Sequence, residues 1–239
     1  MVSKNQLKQI TKLKHKKYRT RFGYFVAEGE KIVNDLINSS WQAHSLYSLE
    51  DNFHPKAIRI DLSLMKQISH LKTPSPVLGV FKIPSEKTTR PSELTIAIDR
   101  LIDPGNLGSI IRLCDWFGVN HLVCSSDTVD CYNSKVIQSS MGSIARVKCV
   151  YMSNLHEYLK SLNKPIFGTS LEGLSVYEKK LPLKATYVFG NESKGISPSI
   201  NKILNQKLTI PKQSSTNDVN SLNVATAAAI FLSEIFRKT

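Results

Sequence analysis

Long apolar runs are missing from this 239-residue chain: the longest, 227–232, falls far short of the ~20 residues a membrane span requires. The basic N-terminus has no apolar stretch before a small-residue cleavage site, so no secretory signal is read and a cytoplasmic location is expected. Cysteine is scarce. The four copies, Cys114, Cys124, Cys131 and Cys149, are spaced by 10, 7 and 18 positions with no C-x-x-C pair, which suits neither a zinc knuckle nor a redox dithiol. They are expected to be buried structural thiols. The six histidines form no H-E-x-x-H and no close pair, so no metal site is expected.

Negative charge is absent from the first 27 residues, where Lys4, Lys8, Lys12, Lys14, Lys16, Lys17, Arg19 and Arg21 all precede the first acid, Glu28. Overall, 32 Lys and Arg stand against 19 Asp and Glu, a net charge of +13. Leu7, Ile10 and Leu13 recur at threes behind Ser3, a candidate cap, so the basic arm reads as a short amphipathic helix. A solvated face kept for solubility is the plain alternative. A phosphate-binding surface is the better reading, because Lys and Arg on such a surface release counterions without reading sequence. Lys4, Lys8, Lys12, Lys16, Arg19 and Arg21 are its candidate contacts. Membrane binding is disfavoured, since the arm offers few large apolar groups for insertion.

The rest of the chain, 41% hydrophobic and 21% charged overall, alternates short strands with helices. In the first third, strands are expected at 23–27, 43–49, 57–60 and 77–81, with helices at 30–37 and 63–68. The stretch 83–92 carries two prolines and no apolar periodicity and reads as a linker between domains 1–82 and 93–239. Strands are expected beyond it at 94–98, 121–124, 165–169, 186–189 and 207–210. Helices are expected at 107–117, 134–141, 155–162, 200–204 and 223–236. Such alternation predicts an α/β fold with a largely parallel sheet covered on both faces.

Ligands of open parallel sheets bind beyond the carboxyl ends of the strands, and three unusual loops fall there. The first, Asp103-Pro-Gly-Asn-Leu-Gly-Ser-Ile-Ile-Arg112, has G-x-x-G spacing and not the dinucleotide fingerprint. Taken alone it is a tight turn at Gly105 with Asn106 as helix cap. Arg112 would stand ~1.7 turns into that helix. The second, Gly190-Asn-Glu-Ser-Lys-Gly195, has the spacing of a phosphate loop, but Ile196 stands where that loop needs Lys. This opposes a nucleotide-dependent enzyme, and Glu192 suits a hydroxyl, amide or cationic ligand better than a phosphate. The third runs from Ile210-Pro through a long polar loop to Ser221-Leu-Asn-Val-Ala, with Ser221 a possible cap of an Ala-rich helix.

In this order, the three loops resemble the motifs of the SpoU (TrmH-type) RNA ribose 2′-O-methyltransferases of the SPOUT superfamily. Ser140-Met-Gly-Ser is similar to the stretch between that family's first and second motifs. Tyr18-Arg and Phe25-Val-Ala-Glu-Gly-Glu-Lys resemble the ribosomal-protein-like RNA substrate-binding domain that precedes the catalytic domain in many members. The resemblance implies S-adenosylmethionine as cofactor, a trefoil-knotted catalytic domain and a homodimer, with no metal. A knot is an exception among folds and no sequence pattern displays one. Position by position, the resemblance implies Asn106, Arg112, Glu192 and Asn223 as the catalytic group. It implies Thr169, Gly190, Asn191, Gly195, Ile210, Ser221 and Leu222 around the cofactor. The loop 212–220 is longer than usual and lacks a glycine found in many members.

The residue types suit the chemistry. Methyl transfer from a sulfonium is an in-line displacement that needs alignment and an activated oxygen. The family's usual proposal makes the motif-one arginine the base, whereas a guanidinium is almost always protonated, so Arg112 also reads as a phosphate clamp. Ribosomal RNA is the preferred partner and transfer RNA the alternative. A catalytically inactive RNA-binding relative is opposed by the intact set Asn106, Arg112, Glu192 and Asn223.

Overall fold

The computed structural model describes residues 2–39, 41–85, 93–178, 180–213 and 221–237. The basic N-terminus forms two helices, α1 (Lys4–Lys12) and α2 (Lys16–Phe22), where the sequence suggested one. Ser3 and Gln6 cap α1 reciprocally, as a capping box. The chain continues through β1 (Tyr24–Glu28), α3 (Glu30–Asn38), β2 (Ala43–Ser48), β3 (Ala57–Arg59), α4 (Leu62–Ile68) and β4 (Val77–Lys82). These strands form a mixed sheet in the order β1-β4-β2-β3, with only β2 and β3 parallel. Ile10 and Leu13 bury themselves beside Val26, Tyr47 and Met65, so the basic segment is packed against this sheet rather than hanging free.

The second sheet is built from β5 (Leu94–Ile98), α5 (Pro104–Trp116), β6 (His121–Ser125), α6 (Ser134–Ser140), a 3₁₀ turn at Ser143–Ala145 and β7 (Lys148–Met152). It continues with α7 (Leu155–Ser161), β8 (Ile166–Ser175), β9 (Ala185–Phe189), α8 (Pro198–Asn201), β10 (Gln206–Thr209) and α9 (Val224–Phe236). Its order is β10-β8-β9-β5-β6-β7, and every pairing is parallel. Every residue of β5 and β9 is buried, because helices cover both faces of these central strands.

Several boundaries differ from the sequence expectation. Strand β7 is additional: at the sheet edge only Val150 of its five residues is buried, so it carries no alternating signal. Strand β8 runs on to Ser175, and its register against β10 jumps from Gly168 to Leu174, so residues 169–173 bulge out of the ladder. Helix α8 begins at Pro198, a residue suited to a first helical position, not at 200. Of the expected linker, residues 86–92 lie outside the described residues.

The two sheets share one apolar core. Phe25, Ile32, Leu36 and Phe81 from the first cluster with Leu107, Ile137 and Ile144 from the second. Around it, the Arg19 guanidinium donates to Asp130 Oδ2 at 2.6 and 2.9 Å, Gln138 Nε2 to the Glu28 carbonyl at 2.7 Å, and Trp41 Nε1 to the Ala145 carbonyl at 3.2 Å.

Candidate active site

The last paired residues of β5 and β9, Ile98 and Phe189, lie side by side. The loops beginning at Asp99 and Gly190 therefore leave the sheet together. Asp99, 3% exposed, turns back and accepts the Ser197 N–H at Oδ2, 2.6 Å, which pins the far end of the second loop to the first. Arg100 takes a left-handed backbone, φ 60°, with its N–H on Ser125 Oγ at 2.9 Å and its carbonyl accepting from Asn191 Nδ2 at 2.8 Å. Neither Asp99 nor Arg100 was singled out from the sequence. An acid directly after an all-apolar strand was the available signal.

Helix α5 is capped by Asp103, whose Oδ1 accepts the Asn106 N–H at 2.8 Å. This corrects the reading of Asn106 as the cap and leaves its side chain available. Asn106 Nδ2 donates to Glu192 Oε1 at 3.1 Å, and Asn106 Oδ1 accepts from Asn223 Nδ2 at 2.8 Å. Glu192 Oε1 also accepts the Asp103 N–H at 3.2 Å. Asn223, not Ser221, caps α9, accepting from Ala225 and Thr226 N–H at its Oδ1, so its amide orientation is determined. One residue from each of the three loops thus joins a single hydrogen-bonded chain, Glu192–Asn106–Asn223.

Arg112 does not join it. It is exposed and has no hydrogen bond or ion pair among the described residues. Six residues beyond Asn106 on one helix, it lies about 9 Å along the axis and about 240° around it.

The second loop closes on itself. Asn191 and Gly195 exchange backbone hydrogen bonds at 3.0 and 2.9 Å. A Cβ at Gly190 would overlap the Gly195 carbonyl carbon and the Ile196 nitrogen, so only glycine allows the closure. Gly195 itself has φ 61°. The side chain of Asn191 is 8% exposed and fully engaged, accepting Ser193 and Lys194 N–H as well as holding Arg100. Its role is to organise the loop. The Thr169 hydroxyl donates to the Val188 carbonyl at 3.2 Å, at the start of the 169–173 bulge. Ile210 is half-buried after β10, while Ser221 and Leu222 are exposed before α9, and residues 214–220 lie outside the described residues.

Of the phosphate candidates, Lys4, Lys8, Lys12, Lys16 and Arg21 are exposed. Arg19 is corrected. It is 3% exposed, paired with Asp130, and donates to the Leu13 and Lys14 carbonyls at 2.9 Å each, so it locks the two halves together. The four cysteines are free, with burial raising the Cys114 thiol to about 12. Among the described residues, no helix is long and apolar enough to cross a membrane.

A parallel α/β sheet whose strand-end loops converge in one polar chain defines a ligand-binding and catalytic domain of the open-sheet class. Residues 93–233 match the SpoU rRNA Methylase family and residues 4–79 an MRM3-like substrate binding domain. The chain belongs to the SpoU rRNA methylase family. It is 28% identical over 243 residues, 96% of each chain, to the 23S rRNA (guanosine(2553)-2′-O)-methyltransferase RlmP of Bacillus subtilis. A solved TrmH-family structure from Porphyromonas gingivalis is 35% identical, with TM-score 0.89 and 100% coverage of both chains. The SpoU methyltransferase AviRb from Streptomyces viridochromogenes, crystallised with AdoMet, shares the fold at 23% identity and TM-score 0.85, covering 99% of this chain and 98% of that one.

The residues present fit S-adenosylmethionine. The ring at 190–195, closed by the Asn191–Gly195 backbone pair, sets main-chain groups at the carboxyl end of β9 for the cofactor's polar atoms. Carboxylate and amide groups at its mouth suit hydroxyls and a cationic centre rather than phosphate.

Proposed function

We propose that this chain transfers a methyl group from S-adenosylmethionine to a ribose 2′-hydroxyl of ribosomal RNA. Residues 1–82 bind the RNA and residues 93–239 hold the cofactor in a trefoil-knotted domain. The observation that carries this reading is the Glu192–Asn106–Asn223 chain, which supplies oriented acceptors and amides where the three loops meet. When bound, the cofactor supplies an electrophilic methyl group on its sulfonium. Gly190, Gly195, Ile210 and Leu222 hold it, largely through backbone groups and apolar contact, beside Thr169 and Ser221.

Asn106 Nδ2 and the Asp103 N–H fix Glu192 Oε1. The second carboxylate oxygen, Oε2, which takes only a long 3.4 Å hydrogen bond from Asn191 Nδ2, accepts the hydrogen bond of the ribose 2′-hydroxyl and then its proton. Asn223, held at its Oδ1 by the start of α9, keeps Asn106 in the required amide orientation. Arg112, as a charged planar fork, clamps an RNA phosphate. Lys4, Lys8, Lys12, Lys16 and Arg21 extend the phosphate contacts over the N-terminal face.

The protein acts as a homodimer in the cytoplasm. Trp116 on α5 is 84% exposed. A large apolar group left open at the end of this helix, which packs against α9, marks a surface for a second copy.

Single-turnover transfer of labelled methyl from S-adenosylmethionine to a 23S rRNA transcript tests the reading, with nuclease digestion to locate the label. A 2′-O-methylated nucleotide, formed equally in excess EDTA, is expected. Label in transfer RNA alone would reassign the substrate, and label on a base would overturn the assigned chemistry.

A further inference from the structure

The turn that ends α6 is not used by the chemistry above, and its backbone is unusual. Among the described residues, only Arg100, Met141 and Asn163 have positive φ without being glycine. Met141 occupies the left-handed position that follows a helix, φ 50° and ψ 37°, where glycine is the usual residue. It is also 43% exposed. A long apolar side chain in this conformation and in water is disfavoured twice, and such strain persists where surrounding structure holds it.

The surroundings do hold it. The Met141 N–H donates to the Gln138 carbonyl at 3.1 Å, and its own carbonyl accepts from Lys31 Nζ of α3 at 3.0 Å. Gln138 is anchored to the Glu28 carbonyl. On the other side, α6 lies so close to α5 that a Cβ on Gly108 would sit 2.7 Å from the Val136 carbonyl oxygen and 3.0 Å from Ser140 N.

That close approach also places Arg112. Gly105, Gly108 and Arg112 are spaced i, i+3 and i+7, along one face of α5. Gly108 meets Ser140, and Asp115 accepts from Arg146 Nη2 at 2.8 Å. Arg112 lies between these two anchors on the helix, as Met141 lies between them on the facing chain. Nearby acids are engaged: Asp115 by Arg146, and Asp35 by Lys31 at 3.3 Å and Arg146 at 3.7 Å. Arg112 and Lys135 are exposed cations without an ion-pair partner among the described residues. Lys31 stands at the Met141 carbonyl, and Arg112 follows by one turn the Gly108 that meets Ser140, so an apolar, polarisable tip in basic surroundings matches a base with its adjoining phosphates.

We infer that Met141 packs its thioether side chain against a base of the RNA substrate next to the target nucleotide, while Arg112 takes the adjoining phosphate; this rests on the RNA reading above. Met141 is a substrate-contact residue on the path from the RNA-binding half to the Asn106 site, and its backbone strain is the cost of presenting the side chain there.

Three variants of the full chain separate side chain from backbone. Met141→Gly relieves the left-handed conformation and Met141→Asn tolerates it, but neither offers the apolar tip; Met141→Leu keeps the tip. Each is measured for melting temperature, cofactor affinity by calorimetry, and methyl transfer to 23S rRNA beside the wild type. Met141→Gly and Met141→Asn are expected to melt no lower than wild type and to bind cofactor unchanged. Their kcat/KM for RNA should be about tenfold lower, the size of one lost base-stacking contact. Met141→Leu should lose much less than either, because the apolar contact survives. Wild-type-like transfer by Met141→Gly or Met141→Asn overturns the inference, as does lost cofactor binding or a lower melting temperature in Met141→Gly. Absence of transfer by the wild type itself would overturn the proposed function and this inference together.

Discussion

Asn223 Nδ2 donates to Asn106 Oδ1 at 2.8 Å across 117 residues of chain, which joins the start of the last helix to the start of α5. The same Asn106 donates onward to Glu192. A single amide thus links all three loops, and its loss should be felt in chemistry more than in folding.

Asn106→Ala is expected to lower single-turnover methyl transfer by about 10²-fold, the scale of one removed transition-state hydrogen-bond donor. Its melting temperature should stay within a few degrees of wild type, because Asp103 still caps α5. Asn106→Asp should be at least as damaging, since it would set a second carboxylate against Glu192 Oε1, now 3.1 Å from the amide nitrogen. Wild-type rates in Asn106→Ala would remove the hydrogen-bonded chain from the mechanism.

The two ends of the second loop should respond differently to alanine. At Gly190 the added methyl meets backbone on both sides, so Gly190→Ala should abolish cofactor binding and lower stability. At Gly195 there is open space but φ is 61°, so the cost should be about 1 kcal/mol, with binding weakened rather than lost. Calorimetry with S-adenosylmethionine and thermal melts distinguish the two; equal effects would contradict the ring closure.

Arg19 and its basic neighbours should part company. Arg19→Ala leaves Asp130 partly buried without its partner and two carbonyls without a donor, so a loss of about 3–5 kcal/mol is expected in urea unfolding. Lys4→Ala, Lys8→Ala, Lys12→Ala and Lys16→Ala should leave stability within about 0.5 kcal/mol. Each true phosphate contact among them should remove roughly 0.7–0.9 from the slope of log affinity for RNA against log salt. An unchanged slope in the quadruple variant would return these lysines to solubility.

Acid should destabilise the fold through His70, whose imidazole is buried. Burial pushes the His70 imidazole down from its usual 6.5 to about 4; its hydrogen bond to the Ile10 carbonyl opposes this, and Lys14, Arg19 and His15 add to it. The unfolded chain therefore takes up a proton first as pH falls. Stability is present above pH 6.5 and is lost between 6.5 and about 4, by at most ~3 kcal/mol at 1.36 kcal/mol per unit. Glu28 works in the opposite sense, since burial raises its carboxyl and ionisation with rising pH costs stability. Urea midpoints at pH 7 and 5 should differ in the wild type and converge in His70→Gln; equal convergence without the substitution would refute the assignment.

Local patterns determined a good deal of this protein. The alternation of strands and helices, the all-apolar 94–98 and 186–189 segments, and the spacing within the three loops specify an α/β sheet with a ligand at its strand ends. These signals are legible because side-chain period, capping chemistry and glycine placement act over a few residues. The tertiary structure decided which of two equivalent local partners is used. Asp103 and Asn106 are both good caps for α5, as Ser221 and Asn223 are for α9. The choice follows from Glu192 and Asn106 arriving from distant loops to engage the free amides. Likewise, nothing in the first 27 residues distinguishes Arg19 from the other cations, because burial and the approach of Asp130 exist only once the two sheets have docked. Strand β7 and the left-handed Met141 belong to the same class: one is an edge that needs β6 beside it, the other a strained turn that only the clamp of Gln138 and Lys31 can hold.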